Sequence, residues 1–253
     1  AMIGQILAYS FVGSVGGLTG GILLALRKKA FTHAQSLLMI SFTAGVMLAT
    51  AFFDLLPEAA EMGAGIKFGW VLAGIVFLFL TEKSLLWYHH HGDECCDDEE
   101  RKSTPWLINA GDTVHNFIDG LVMGGAVVAN PALGMVTAVA VAAHEIPHEM
   151  ADFGVMLGAG WSRRRTIMVN LMSASVSLVG AMLAYYLGTR IEGVLPTLLA
   201  FAGGMFIYLA CSDLIPELHH AHKHGEVRNS WGQVAVFGMG IGMIYVLIKV
   251  LEG

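Results

Sequence analysis

An all-α integral membrane protein with eight transmembrane helices is the fold class this sequence predicts, and three observations predict it. The 253 residues are 55% hydrophobic and only 13% charged, with a mean hydropathy of +0.64, whereas a soluble domain carries about 25% charged residues. The apolar runs are long enough to cross the hydrocarbon core, which takes about 20 residues of helix. They also lack the alternation of barrel strands, so helices must satisfy the backbone in lipid.

The spans fall at roughly 3–26, 35–57, 66–88, 105–129, 132–158, 164–189, 193–218 and 231–251. The first carries Gly13, Gly17 and Gly21 at four-residue spacing, and the last carries Gly238 and Gly242. Small residues so placed let helix backbones approach closely, and ordinary helix packing accounts for them. Arg27, Lys28 and Lys29 follow the first span, and Lys83, Arg101 and Lys102 belong to the link after the third. Arg163, Arg164 and Arg165 follow the fifth, and Lys223 and Arg228 the seventh. Eleven of the fourteen basic residues thus fall on one side, leaving Lys67, Arg190 and Lys249 on the other. By the positive-inside rule both termini are expected outside the cytoplasm, in the cell (inner) membrane.

The chain reads as a single polytopic membrane domain, 1–253, with a His-, Cys- and acid-rich cytoplasmic loop at 89–104. The net charge of −6 argues against a nucleic-acid partner; the lipid bilayer is the partner expected instead. Cys95, Cys96 and Cys211 make no disulfide framework, and no cleavable signal peptide is expected. One internal echo stands out: FFDLLPEAA (52–60) ends the second span and CSDLIPELH (211–219) ends the seventh. Those spans run in opposite directions, as an inverted repeat requires.

Ionisable groups within a span are costly and are read first as functional. The fourth span holds His115, Asn116 and Asp119 in HNFIDG; the fifth holds His144, Glu145, His148 and Glu149 in HEIPHE. Positions four apart share a helix face, so His115/Asp119 and His144/His148 form two ladders. The short link Asn130-Pro131 makes the two spans antiparallel neighbours, with both ladders at the same depth. Nitrogen and oxygen donors of this kind suit zinc or a similar divalent ion. A cluster that only fixes helix packing is the plainer reading, but three histidines, two acids and an amide at one depth argue against it. His144-Glu145-x-x-His148 also spells the H-E-x-x-H of zinc proteases. Pro147 sits inside that turn, and a proline cannot donate to the carbonyl of Ala143. A kink there frees a backbone oxygen near the metal, or serves as a kink and nothing more.

HNFIDG followed by AAHEIPHEMADFG resembles the fourth and fifth helices of the Zrt-, Irt-like protein (ZIP) family of divalent metal transporters, in the branch with HNFxDG and HEIPHE motifs. The resemblance implies an eight-helix bundle with inverted three-helix repeats around helices 4 and 5. It also implies metal movement towards the cytoplasm, often by a homodimer. Carried over by motif position, it implies a primary site of His115, Asp119, His144 and His148, and a second of Asn116, Asp119 and Glu145. AGVMLA in the second span points to Met47 as a thioether near the primary site. Some members add a glutamate from the sixth helix; here SASVSLVGA offers only Ser173, Ser175 and Ser177, so one strong site with a weaker neighbour is expected.

At the outer end of the second span, Asp54, Glu58 and Glu61 form either an acidic mouth that concentrates cations or an ordinary solvated helix end. On the inner side, Glu149 and Asp152, then Asp213, Glu217, His219 and His220, can pass metal out stepwise. His89, His90, His91, Cys95 and Cys96 in one loop, with His222 and His224 in another, offer ligands for metal capture, though solvated loops also tolerate them. Transport is the expected function. Protonation of imidazole near pH 6.5 would weaken the site, and an inside-negative potential would favour cation influx. The cargo expected is Zn2+, with Fe2+, Mn2+ or Cd2+ able to share the ligands, and no catalytic cofactor is expected. The alternatives are an intramembrane zinc metalloprotease, with Glu145 as base and Asp119 as third ligand, and a metal sensor.

Overall fold

The computed structural model describes residues 2–26, 33–63, 65, 67–90, 97–191, 193–216, 218–219 and 230–252. They form a series of long helices. Helix α1 runs from Met2–Ser10 through a π-helical turn, Phe11–Val15, into Gly16–Leu26. Helix α2 is built alike from His33–Thr50, the π turn Ala51–Leu55 and Leu56–Met62. Then come α3 (Phe68–His90), α4 (Asp97–Ala129), α5 (Pro131–Gly158) and α6 (Arg163–Gly188). Helix α7 comprises Val194–Tyr208 and a π-helical stretch, Leu209–Leu214; α8 is Ser230–Glu252.

Among the described residues, five helices are long and apolar enough to cross a membrane: Met2–Leu23, Leu37–Met62, Arg163–Gly188, Val194–Ser212 and Trp231–Leu251. Helices α3, α4 and α5 are not among them; in α4 and α5 the imidazoles and carboxylates lower the hydropathy. Such groups inside a bundle mark a functional interior. Helix α4 starts at Asp97, well before the apolar stretch at 105, and carries Pro105 inside it. Hydropathy finds the membrane-soluble part of a helix, whereas the acids Asp97, Asp98, Glu99 and Glu100 favour a helix start through the macrodipole. Helix α3 reaches His90, so the two helices take up most of the stretch read as a loop at 89–104.

The turns have local causes. Asn130 is extended (φ −156°) and its side-chain oxygen accepts from the amide of Ala132 at 2.9 Å, with Pro131 as first helical residue of α5. That is a preferred start for a helix, and it reverses the chain between α4 and α5 in one residue. Gly193 enters α7 with φ +75°, a left-handed conformation open to glycine.

Packing is pairwise: α4 lies on α6, α1 on α5, α2 on α8 and α3 on α7, with α4 against α5 at the centre. Exchanging α1 with α6, α2 with α7, α3 with α8 and α4 with α5 turns each of these pairs into another. The glycine contacts obey the same exchange. A side chain at Gly45 would run into the Phe237 carbonyl, and one at Gly240 into that of Phe42. Likewise Gly204 faces the Val71 carbonyl and Gly74 that of Phe201. The spacing from Phe42 to Phe201 equals that from Gly45 to Gly204 and from Asp54 to Asp213. The echo seen in the sequence therefore extends through the helices, and the π turns of α2 and α7 sit at matching positions just before Pro57 and Pro216. The main apolar core joins Met47, Leu55, Met123, Val141, Leu199 and Phe206. Outside it, α3, α6 and α8 present Leu72, Val179 and Val250 outward, at 60%, 60% and 70% exposure, as lipid-facing helices do.

Candidate metal centre

Helices α4 and α5 meet face to face where their polar ladders lie. His115 Nε2 stands 3.0 Å from His144 Nε2. Asp119 Oδ2 is 3.0 Å from His144 Nε2 and 3.8 Å from His115 Nε2. Glu145 Oε1 closes the group at 3.3 Å from His144 Nε2 and 3.4 Å from His115 Nε2. Zinc–ligand bonds of 2.0–2.2 Å in a tetrahedron put ligand atoms about 3.3–3.6 Å apart. The observed separations bracket that range, so two nitrogens and two carboxylates fit a divalent ion. Asp119 and Glu145 are buried, His144 is nearly so, and His115 is only slightly exposed. Carboxylates buried beside imidazoles need a compensating charge, which a protonated imidazole or a bound cation would supply.

The orientation of His144 is fixed from behind. Its Nδ1 lies 3.2 Å from the carbonyl of Ala140, so a proton donated there leaves the Nε2 lone pair for metal. Gly17 on α1 lets that helix press directly against the Cβ of Glu145. The oxygen that Pro147 frees at Ala143 is not left for the metal, because Thr43 Oγ1 of α2 donates to it at 2.9 Å. A buried carbonyl needs a partner, and the hydroxyl on the neighbouring helix is one.

The other residues singled out are distributed as follows. His148 stacks near His115, with ring centres 5.4 Å apart, but its Nδ1 faces Asp112 Oδ1 at 3.8 Å and its side chain is 45% exposed. It falls in a group with Asp112 and Asp152, while His115, Asp119, His144 and Glu145 form another. The amide of Asn116 donates to the Asp112 carboxylate at 3.0 Å and to its carbonyl at 3.1 Å. Glu149 is fully buried, and Met47 lies in the apolar core. Asp54 and Glu58 are half-buried on α2, and His219 is exposed beyond α7. His89, His90 and Asp213 lie on helices, but their side chains are outside the described residues, as are His91, Cys95, Cys96, Glu217, His220, His222 and His224 altogether.

Asp112 is the functional candidate that the sequence reading passed over. Its signal was available: an acid within the helix, one turn ahead of Asn116 in GDTVHN. Ser173 of α6 donates to its other oxygen at 2.5 Å, so the serines of SASVSLVGA include one bound to this carboxylate.

A family model described as ZIP Zinc transporter matches residues 2–105 and 89–248, nearly the whole chain. The chain belongs to that family. It is 39% identical over 153 residues to zinc transporter ZIP10 of Danio rerio, covering 59% of this chain and 18% of that protein. It is 37% identical to zinc transporter ZIP6 of Homo sapiens over 153 residues, 58% of this chain and 20% of the relative. It is 42% identical to zinc transporter ZIP4 of Mus musculus over 114 residues, 45% and 17% respectively. The match thus spans about a fifth of the length of these relatives.

Proposed function

We propose that the protein is a membrane transporter carrying zinc into the cytoplasm through the site between α4 and α5. The observation that carries this reading is the convergence of His115, Asp119, His144 and Glu145 at zinc-compatible spacing between two adjoining helices. Family membership and relatives described as zinc transporters support it. On this reading eight helices span the membrane, both termini face away from the cytoplasm, and the working unit is a homodimer in the cell membrane. Asp54 and Glu58 gather cations at the outer mouth. Asn116, His148, Glu149 and Asp152 take metal from the site towards Asp213, Glu217, His219 and His220, and the His/Cys loops capture it. Met47 lends a thioether as the helices shift. Fe2+, Mn2+ and Cd2+ compete for the same donors.

The H-E-x-x-H protease reading needs His144 and His148 on one ion with Glu145 held back as base. Here Glu145 shares the cluster with His144, and His148 belongs to a different group, so nothing in the geometry favours hydrolysis. The test is zinc uptake into sealed proteoliposomes holding a fluorescent indicator. Wild type should show saturable flux, and His144→Ala should lose it by an order of magnitude or more. Glu145→Gln, which keeps shape but drops charge, should raise the zinc concentration for half-maximal flux. Equal flux in wild type and His144→Ala would sink the site; no flux from wild-type protein that still binds zinc would sink transport.

A further inference from the structure

The first turn of α6 carries Arg163, Arg164 and Arg165, three positive charges together in a chain whose net charge is −6. The helix they open is long and apolar enough to cross a membrane, so the triplet stands at a membrane boundary, where headgroups lie. All three residues are exposed. Among the described residues, none of them meets a carboxylate within ion-pair distance. A guanidinium stays charged at any physiological pH, and its paired N–H donors match the oxygens of a phosphate. Two tryptophans hold one of the three in place. The Arg165 guanidinium lies over the Trp161 ring at 3.9 Å and the Trp106 ring at 5.3 Å. The two indoles meet edge to face, with centres 5.1 Å apart. Attraction between a cation and an aromatic face thus ties the start of α6 to α4. Tryptophan itself favours the level between headgroups and hydrocarbon.

From this geometry we infer a binding site for an anionic phospholipid at the start of α6. Arg163 and Arg164 take the phosphate, and Arg165 adds its charge from between the indoles. The surface beyond them turns apolar. Met168, Leu171 and Met172 follow Arg164 at spacings of four, seven and eight, so they share its helix face, and all three are exposed. A stripe with a cationic head and an apolar tail has the polarity of a phospholipid lying along the helix. Free phosphate would use the head and leave the tail. A zwitterionic lipid brings its own ammonium, which the triplet repels, so the net charge of the headgroup decides. The acids that open α4, Asp97 to Glu100, stand six to nine residues before Trp106, about 9–14 Å farther along its axis. A headgroup is therefore better placed than that turn to neutralise the triplet. The site is separate from the metal cluster and does not rest on the transport reading.

The experiment is native mass spectrometry of the full-length protein with dioleoyl phosphatidylglycerol or dioleoyl phosphatidylcholine, which differ in the headgroup alone. Wild type should bind phosphatidylglycerol roughly tenfold more tightly than phosphatidylcholine, and excess inorganic phosphate should not displace it. The double variant Arg163→Gln/Arg164→Gln should lose the preference while its circular dichroism stays that of a folded helical protein. Arg190→Gln removes a cation stacked on Tyr186 beyond the other end of α6, and it should keep the preference. Equal binding of the two lipids by wild type overturns the inference and means that the triplet is neutralised within the protein. Displacement by inorganic phosphate overturns it too, because the apolar face then adds nothing. A preference that survives in the double variant, or that falls as far in Arg190→Gln, puts the lipid elsewhere and also overturns it.

Discussion

Thr43 supplies from α2 the hydrogen bond that Pro147 denies to Ala143 within α5, and Ala143 is the residue before His144 of the polar cluster. Removing that hydroxyl leaves a buried carbonyl unpaired, which costs about 1–3 kcal/mol. Thr43→Val should therefore let the His144 turn shift and raise the zinc concentration for half-maximal uptake by roughly tenfold. Thr43→Ser, which retains the donor, should stay near wild type. If Val and Ser variants show the same zinc dependence as wild type, Thr43 has no part in placing His144. No sequence pattern announces this contact, because donor and acceptor are 100 positions apart. That polar side chains of α4 and α5 face one another was legible, since spacing of four on two antiparallel helices dictates a shared face. Which of them fall in one cluster was not legible: His148 and Glu145 lie on the same helix, and only the packing of α4 separates their partners.

At the scale of elements, Pro147 and the π turns show how these helices handle missing hydrogen bonds. Pro57 and Pro216 cannot donate to Phe53 and Ser212, and each follows a π-helical turn that takes up the local irregularity. Helix α5 instead borrows a donor from its neighbour. If that account is right, Thr43 and Pro147 are energetically coupled. An alanine at 147 can donate its own amide to Ala143, so Thr43→Val should cost much less in Pro147→Ala than in wild type. A double-mutant cycle on the zinc dependence of uptake should return a coupling of about 1 kcal/mol. Additive effects would mean that the two residues act separately. Helix positions were legible from apolar runs almost throughout. The start of α4 was not, because its first residues, Asp97 to Lys102, are charged and leave the apolar count at once.

The whole molecule is organised by the exchange of one half with the other, and five echoed residues hinted at it. The rest of the repeat was hidden because what recurs is backbone proximity, and a glycine facing a carbonyl leaves no hydropathy signal. The consequence can be measured. Gly45 and Gly204 are repeat-related, and each abuts a backbone carbonyl that cannot rotate away, on α8 and α3 respectively. Gly242, also on α8, has open space around it and is exposed. Overpacking typically costs about 1–3 kcal/mol, occasionally more, and here whole helices must separate. Gly45→Val and Gly204→Val should therefore each lower the unfolding temperature of the purified protein by several degrees and by similar amounts. Gly242→Val should leave it nearly unchanged, which controls for the loss of glycine itself. If only one of the pair destabilised the protein, the two halves would not carry load alike. The apparent symmetry would then describe the path of the chain and not the forces that hold it.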